Sequence, residues 1–192
     1  MKSQEDSKSN DRDQAHAAVS IILASGQEGE SVLLIRRATH PGDPWSGHLA
    51  FPGGKIDPDD LSPLDAAIRE TKEECGIQLS EKDCVERSPL AEAGHYSGRV
   101  LRVLPFAFYL EKQPPLNPDP TEVESAFWLP LSKFMDFAEH HSHCFHPVLK
   151  TKKFSHVHIG GTRLWGFTYE QLGSYLMRRG FLGDEFCEIF KK

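Results

Sequence analysis

Residues 53–77 read GGKIDPDDLSPLDAAIRETKEECGI, and this stretch carries the strongest local signals in the chain. Ser62 is placed to cap a helix, Pro63 suits the first helical position, and Asp65 stands where a capping box has its acid. Gly76 is placed to end the helix in a left-handed conformation. The pattern therefore predicts a helix between this cap and Gly76. Its sheet-facing side is predicted to carry Leu64, Ala67, Ile68 and Thr71.

Three carboxylates share one side of the predicted helix. Glu70, Glu73 and Glu74 are three and four positions apart, the spacing at which helical side chains are neighbours. Crowded carboxylates repel each other unless a cation lies among them, and an all-oxygen set favours Mg²⁺ or Mn²⁺ over zinc. Arg69 precedes Glu73 by four positions and can orient it through an ion pair. An acidic, solvated helix face is the alternative interpretation.

The segment resembles the Nudix box, G-x5-E-x7-R-E-U-x-E-E-x-G-U, in which U is a bulky aliphatic residue. The positions that match without a gap are Arg69, Glu70, Glu73, Glu74 and Gly76. There are three departures from the pattern. One additional residue lies between Gly54 and Arg69, Asp60 stands in place of the first Glu, and Thr71 takes a position that is usually aliphatic.

Two later stretches extend the resemblance over about residues 17 to 180. Residues 121–131, TEVESAFWLPL, are similar to a family strand, and residues 164–168, LWGFT, are similar to the start of its last helix. The resemblance implies an α/β (α+β) fold, an α/β/α sandwich around a mixed central β-sheet. We expect this domain over 15–192, after a flexible polar tail over 1–14.

One branch of the family, the coenzyme A pyrophosphatases, is similar over a longer stretch. It has the same longer loop, and residues 33–38 (LLIRRA) and 47–54 (GHLAFPGG) match the two ends of its upstream signature, except that Ile35 replaces a Thr and the spacing between the two ends is longer by one residue. The middle, THPGDPWS at 39–46, lacks the expected arginine. The resemblance implies hydrolysis of coenzyme A or a derivative to adenosine 3',5'-bisphosphate and phosphopantetheine. The alternatives are another nucleoside diphosphate derivative (a nucleotide sugar, ADP-ribose or a dinucleotide) or a nucleotide-binding module without turnover.

The resemblance also implies roles for individual residues. Mg²⁺ or Mn²⁺ would be held by Glu70, Glu73, Glu74 and the carbonyl of Gly54. Glu73 or the downstream Glu122 would act as the general base toward water, and Arg69 would support the helix carboxylates. Apart from the resemblance, Asp57 and Asp60 are predicted to cap the helix, with a water-mediated metal contact, or neither role, as the alternatives.

The substrate side of the site is predicted around the glycines. Arg36 and Arg37 follow a buried strand and are either phosphate-binding forks or surface ion pairs. Trp45 and His48 are candidates for stacking on a base, unless Trp45 anchors its loop in the core. The remaining substrate-binding candidates are Gly53 and Lys55.

Composition narrows the class of protein. The chain has 192 residues, a net charge of −6 and a mean hydropathy of −0.45, which favour one soluble domain and argue against membrane or nucleic-acid partners. Four cysteines without a CxxC pair, and no leader-like apolar segment, predict a cytoplasmic protein. The expected partner is a small nucleotide substrate, and the chain is expected to be a monomer or a homodimer. Residues 54–77 hold seven acids and three bases, and so account for most of the negative charge.

The rest of the chain is predicted from its apolar patterns. Strands are predicted over 15–25, 31–37, 97–111 (interrupted or bulged near Pro105), 124–131 and 162–167, helices over 132–141 and 168–181, and a long functional loop over 38–54. The closing helix should bury Tyr169, Leu172, Leu176 and Met177.

Residues 140–146 read HHSHCFH, a cluster of His140, His141, His143 and His146 with Cys144. Such residues can bind zinc, but the spacing matches no common structural site. A polar helix end or loop is therefore predicted. Two further histidines, His156 and His158, alternate with apolar residues, as on the polar face of a strand.

Overall fold

The computed structural model describes residues 14–95, 100–144 and 150–183. Its main sheet contains β1 (Ala17–Gly26), β2 (Gly29–Arg37), β3 (Leu49–Ala50), β4 (Gly53–Lys55), β5 (Cys84–Arg87), β6 (Ala91–Ala93), β7 (Leu101–Leu110) and β8 (Val123–Pro130). A second sheet contains β9 (His140–His143), β10 (Phe154–Ile159) and β11 (Thr162–Trp165). The helices are α1 (Pro63–Cys75), α2 (Leu131–Phe134) and α3 (Gly166–Arg178), with 3₁₀ turns at Glu81–Asp83 and Phe137–Glu139. The predicted polar tail, apart from residue 14, and His146 lie outside the described residues.

The main sheet is mixed and is covered on both faces. β1 forms an antiparallel hairpin with β2 and pairs in parallel with β7. Because side chains alternate along a strand, Ile21 lies in the same core as Leu172 of α3, whereas Ile22 lies in the core that contains Ala67 of α1. The predicted sandwich around a mixed sheet is confirmed. None of the helices in the described ranges has the length and apolar character needed to cross a bilayer.

α1 docks on β1 through small and polar residues. Of the four predicted contact residues, Ala67 and Thr71 are buried, while Leu64 and Ile68 are only half-buried. The hydroxyl of Thr71 lies 2.9 Å from Ser20 Oγ and 2.8 Å from the carbonyl of Ala67. The hydroxyl at this usually aliphatic position therefore has polar partners in the core, as buried polar groups require.

The predicted interruption of β7 at Pro105 is wrong. β7 runs unbroken for ten residues, and Pro105 stays in register with Val19 of β1. The break falls on the other side of the strand, in the gap between β5 and β6, where the Pro105 carbonyl accepts from Ser88 N at 2.9 Å. Because the N–H that proline lacks would point into that gap, the ladder of β1 and β7 loses no bond.

The predicted helix over 132–141 is also wrong. α2 has only four residues, and Asp136 caps a 3₁₀ turn by accepting from Ala138 N at 3.1 Å. His140–His143 then form β9, paired with β10, instead of the predicted helix end or loop. His156 of β10, predicted on a polar face, is buried.

Other segments follow the sequence more closely. β8, β11 and α3 confirm the predicted strands and closing helix, and Tyr169, Leu172 and Leu176 are buried as expected, with Met177 partly buried. The predicted loop over 38–54 includes two short strands, β3 and β4. These two strands pair with β2 and β1, so the last residues of this segment belong to the main sheet.

Candidate active site

Local signals fix both ends of α1, as predicted. The Ser62 side chain accepts from Asp65 N at 3.2 Å, and Pro63 occupies the first turn. Gly76 has φ +72° and donates to the carbonyl of Lys72 at 2.9 Å, a conformation that glycine adopts without strain. The helix that carries the carboxylates is therefore set in length by its own sequence.

Glu74 is the most deeply placed of the helix carboxylates. It is 2% exposed, and its Oε2 accepts from Gly53 N at 2.8 Å. Burial raises the pKa of Glu74 to about 8, and the negative charges of Glu70 and Glu122 add to this, against the Gly53 hydrogen bond and the charge of Arg37. No ion pair of Glu74 is found among the described residues, so its charge is poorly compensated.

Glu70 lies against the second glycine of the Gly-Gly pair. A Cβ built on Gly54 would lie 2.5 Å from the Glu70 carboxyl carbon, so only glycine lets the carboxylate take this place. Burial raises the pKa of Glu70, Arg69 lowers it, and the charges of Glu73 and Glu122 raise it further. The charged form of a carboxylate desolvated in this way is stabilised by a nearby cation.

Arg69 joins the helix to the preceding loop. Its Nη1 donates to Glu73 at 2.9 Å, which confirms the predicted ion pair, and to Glu70 at 3.0 Å. Its Nε and Nη2 each donate to Asp60 at 3.0 Å, and Nη2 also donates to the carbonyl of Lys55 at 3.1 Å. These carboxylates raise the pKa of Arg69, with Asp60 as the largest cause.

Asp60 does not cap α1, and this prediction is wrong. It is buried and accepts from Asp57 N at 2.8 Å, closing a turn over 57–60. Its two oxygens hold the guanidinium of Arg69, while Asp57 lies 3.7 Å from the same group and is exposed. The cap belongs to Ser62 because its side chain is the one that reaches the free N–H groups of the first turn.

Glu122 approaches the helix carboxylates from the start of β8. Its carbonyl accepts from Ala38 N at 2.8 Å, which ties this residue to the end of β2. The negative charge of Glu122 raises the pKa of both Glu70 and Glu74. The structure therefore brings together the Gly-Gly pair, the two inner helix carboxylates and Glu122, which are distant in sequence.

The two arginines at the end of β2 take part in ion pairs. Arg36 Nη1 lies 3.4 Å from Glu124, and Arg37 Nη2 donates to Asp43 at 3.0 Å. Their Nε atoms are buried and have no hydrogen-bond partner in the described part of the chain. Sequence analysis missed Asp43, although an Asp before Pro-Trp in a loop is a common turn signal. Its other oxygen accepts from Trp45 N at 3.0 Å.

The two aromatic candidates, Trp45 and His48, differ in their surroundings. Trp45 is half-buried, neither inserted in the core nor fully exposed. The ring of His48 packs edge-on against Trp165, with ring centroids 5.2 Å apart. The carbonyl of Lys55 accepts a hydrogen bond from Arg69 Nη2, and the Lys55 side chain is exposed.

The donor chemistry of the site suits a hard divalent cation. All candidate donors are carboxylate or carbonyl oxygens, and the buried charge of Glu74 is poorly compensated. In the conformation described, however, Arg69 draws Glu73 toward solvent, where its side chain is 56% exposed. Within the described ranges, no group of three or more His, Cys, Asp and Glu residues is arranged to hold an ion. Closing such a group requires the carboxylates to rotate inward.

A surface cavity of about 560 Å³ lies elsewhere, beside the β1–β2 turn and α2. Its walls include Glu28, Lys133 and His158 but neither glycine of the Gly-Gly pair and none of the carboxylates of α1. The carboxylates whose charges raise one another's pKa lie around Gly53 and Gly54 instead. The candidate active site is therefore the region around Gly53, Gly54, Glu70, Glu74 and Glu122, which we call the carboxylate centre.

Comparison with known proteins gives one family. The NUDIX domain family model matches residues 14–147. Nudix hydrolase 15, mitochondrial, of Arabidopsis thaliana is 33% identical over 121 residues, 62% of this chain and 41% of that protein. The uncharacterized Nudix hydrolase NudL of Yersinia pestis is 34% identical over 127 residues, 66% of this chain and 60% of that protein. The match thus spans about two fifths to three fifths of these relatives' length. A MutT/nudix family protein from Enterococcus faecalis shares the fold, with a TM-score of 0.59 at 18% identity over 93% of this chain and 68% of that chain.

Proposed function

The chain belongs to the Nudix family, and on that premise we propose that it hydrolyses the pyrophosphate link of a nucleoside diphosphate derivative. Mg²⁺ or Mn²⁺ would be held by Glu70, Glu73, Glu74 and the carbonyl of Gly54. When bound, the ion supplies positive charge against two adjacent phosphates and acidifies water.

The observation that carries this proposal is the poorly compensated charge of Glu74. A buried carboxylate with two acidic neighbours and no ion pair of its own in the described ranges costs stability. A fold keeps such a group where its charge is needed by a ligand. A solvated acidic helix face, the alternative, does not bury one of its carboxylates to 2% exposure.

We assign the general base to Glu122 in preference to Glu73. Glu73 is held by Arg69 at 2.9 Å, so one of its oxygens is already engaged by a guanidinium. Glu122 is exposed, close enough to perturb Glu70 and Glu74, and without an ion pair among the described residues. It would accept a proton from water as the water oxygen bonds to phosphorus and the anhydride P–O bond breaks.

For the substrate we propose coenzyme A or a derivative, on the similarity of residues 33–38 and 47–54 to the coenzyme A branch. One observation favours the second candidate, another nucleoside diphosphate derivative. Asp43, in the divergent stretch 39–46, pairs with Arg37 at 3.0 Å and partly neutralises it. An arginine so occupied offers less charge to an additional phosphate.

The test uses purified protein with Mg²⁺ and a panel of coenzyme A, dephospho-coenzyme A, ADP-ribose, nucleotide sugars and dinucleotides. Products are identified by mass. Release of phosphopantetheine and adenosine 3',5'-bisphosphate is expected. Cleavage of the other compounds alone would reject coenzyme A, and no cleavage of any of them would reject the hydrolase proposal for this panel.

The role of Glu122 has its own test. Glu122→Gln should lower kcat by about 10²–10⁴-fold, as expected for loss of a general base. Glu111→Gln, at an exposed acid outside the site, is the matched control and should keep the wild-type rate. A Glu122→Gln protein with wild-type kcat would reject Glu122 as the general base.

A further inference from the structure

Four histidines lie on one face of the second sheet. His141 and His143 are two positions apart on β9, and His156 and His158 are two positions apart on β10, so each pair projects to one side of its strand. His141 is directly opposite His156 in the antiparallel register, which places both pairs on the same side. We refer to these residues as the histidine quartet.

The quartet excludes His140, which projects to the other side of β9. His140 Nδ1 lies 2.7 Å from the hydroxyl of the buried Tyr169, and Nε2 lies 2.6 Å from the carbonyl of Phe134. Both of its ring nitrogens are thus engaged with the core. The cluster in the sequence is therefore divided by strand periodicity, and two histidines of β10 complete the set.

Five of the six ring pairs of the quartet are in contact; the exception is His143 with His158, which lie at opposite ends of the group. Ring centroids of His141 lie 5.7 Å from His143 and 5.8 Å from both His156 and His158. His156 lies 5.6 Å from His143 and 5.1 Å from His158. Two imidazoles bound to one tetrahedral ion, with metal–nitrogen distances of about 2.0 Å, have centroids about 5 Å apart. The ring spacing is therefore close to that of a shared ion.

We propose that the histidine quartet binds one borderline divalent transition-metal ion, with Zn²⁺ as the probe. Neutral imidazole suits zinc, copper and nickel, whereas the oxygen donors of the carboxylate centre suit Mg²⁺ and Mn²⁺. The two sites would differ in ligand chemistry and in position. In the conformation described, the ring nitrogens do not converge on one point. Convergence needs rotation of His143 and His158, whose side chains are exposed and can turn without repacking the core.

Binding would add a cross-link between β9 and β10, which are already paired through their backbones. An ion bound by side chains of both strands stabilises the folded chain by RT ln(1 + c/Kd), where c is the concentration of free Zn²⁺. β10 pairs with β11, which leads directly into α3. The increase in stability on ion binding should therefore appear as a higher Tm of the whole domain.

The experiment is calorimetric titration of the full chain with Zn²⁺, in excess Mg²⁺ to occupy the carboxylate centre. One ion per chain is expected. The double variant His143→Ala/His158→Ala should bind at least about tenfold more weakly, since even outer-shell changes around a metal cost about 10–100-fold. His95→Ala, at an exposed histidine outside the quartet, is the matched control and should bind as the wild type does.

Thermal melting provides the second readout. Zn²⁺ should raise Tm in the wild type and in His95→Ala but not in the double variant, whose metal-free Tm should be unchanged. If the double variant does not fold, the single variants His143→Ala and His158→Ala take its place. No binding to the wild type, or binding that survives loss of both histidines and disappears in Cys144→Ser, would overturn the proposal.

Discussion

Replacing the buried carboxylate of Glu74 should stabilise the metal-free protein at alkaline pH. Burial raises the pKa of Glu74 to about 8 from an ordinary value of 4.5. Between these values the folded protein holds a proton that the unfolded chain has lost, so the free energy of unfolding falls as pH rises. At about 1.4 kcal/mol per pKa unit, this penalty reaches about 5 kcal/mol above pH 8 and vanishes below the unfolded pKa.

Glu74→Gln removes the ionisation and keeps an oxygen that can accept from Gly53 N. In EDTA, the variant should therefore exceed the wild type by about 2–5 kcal/mol at pH 8.5, and by less than about 1 kcal/mol at pH 5. Urea unfolding followed by tryptophan fluorescence at the two pH values measures the difference. Glu73→Gln, at the exposed neighbouring carboxylate, is the control and should show no such pH-dependent gain.

The reasoning would be refuted by an equal effect of Glu74→Gln at pH 5 and pH 8.5, or by a variant less stable than the wild type at pH 8.5. Added Mg²⁺ extends the test. It should raise the Tm of the wild type at pH 8.5 and do so less in Glu74→Gln, because the variant has lost a carboxylate donor.

Four other predictions concern the elements that hold this centre. A Cβ at Gly53 would lie 2.3 Å from the carbonyl oxygen of Ala18, at φ +144°, so Gly53→Ala should lower the free energy of unfolding by about 2 kcal/mol or more in urea titration. Gly54→Ala displaces only the Glu70 carboxylate and should lower kcat at least about tenfold with a smaller change in stability; the reverse ranking of the two variants would contradict this. Asp60→Asn keeps the shape of the side chain but removes the negative charge opposite Arg69. It should lower the free energy of unfolding by about 2 kcal/mol, measured by urea titration. Ser62→Ala removes the cap of α1 and should cost about 1 kcal/mol by thermal melting while kcat stays unchanged.

Local signals explain which elements could be predicted. α1 has its cap, its first-turn proline and its terminal glycine within a few residues, so its limits follow from sequence. β5 and β6 were missed because they are short and half-exposed, and carry no apolar run. β9 was missed because its HHSH sequence is polar, and its strand conformation depends on pairing with β10.

In the candidate site, too, local contacts could be predicted from the sequence and long-range contacts could not. The Arg69–Glu73 pair follows from a four-residue spacing on one helix, and the structure contains it. The hydrogen bond from Gly53 to Glu74 and the approach of Glu122 depend on how β4 and β8 pack around α1. Such long-range contacts decide which carboxylate is buried, and that in turn decides which one has an altered pKa.

The turn over 57–60 has a consequence for how this loop tolerates change. Counted from Gly54, Asp60 stands where the general Nudix pattern has its first Glu, and the additional residue lies between Asp60 and Arg69. The tight turn, with Asp60 N donating to the carbonyl of Asp57 at 3.1 Å, delivers the shorter carboxylate to Arg69 at 3.0 Å. The connection from the turn to α1 therefore accommodates a change in length, while the turn keeps the carboxylate in place for the guanidinium.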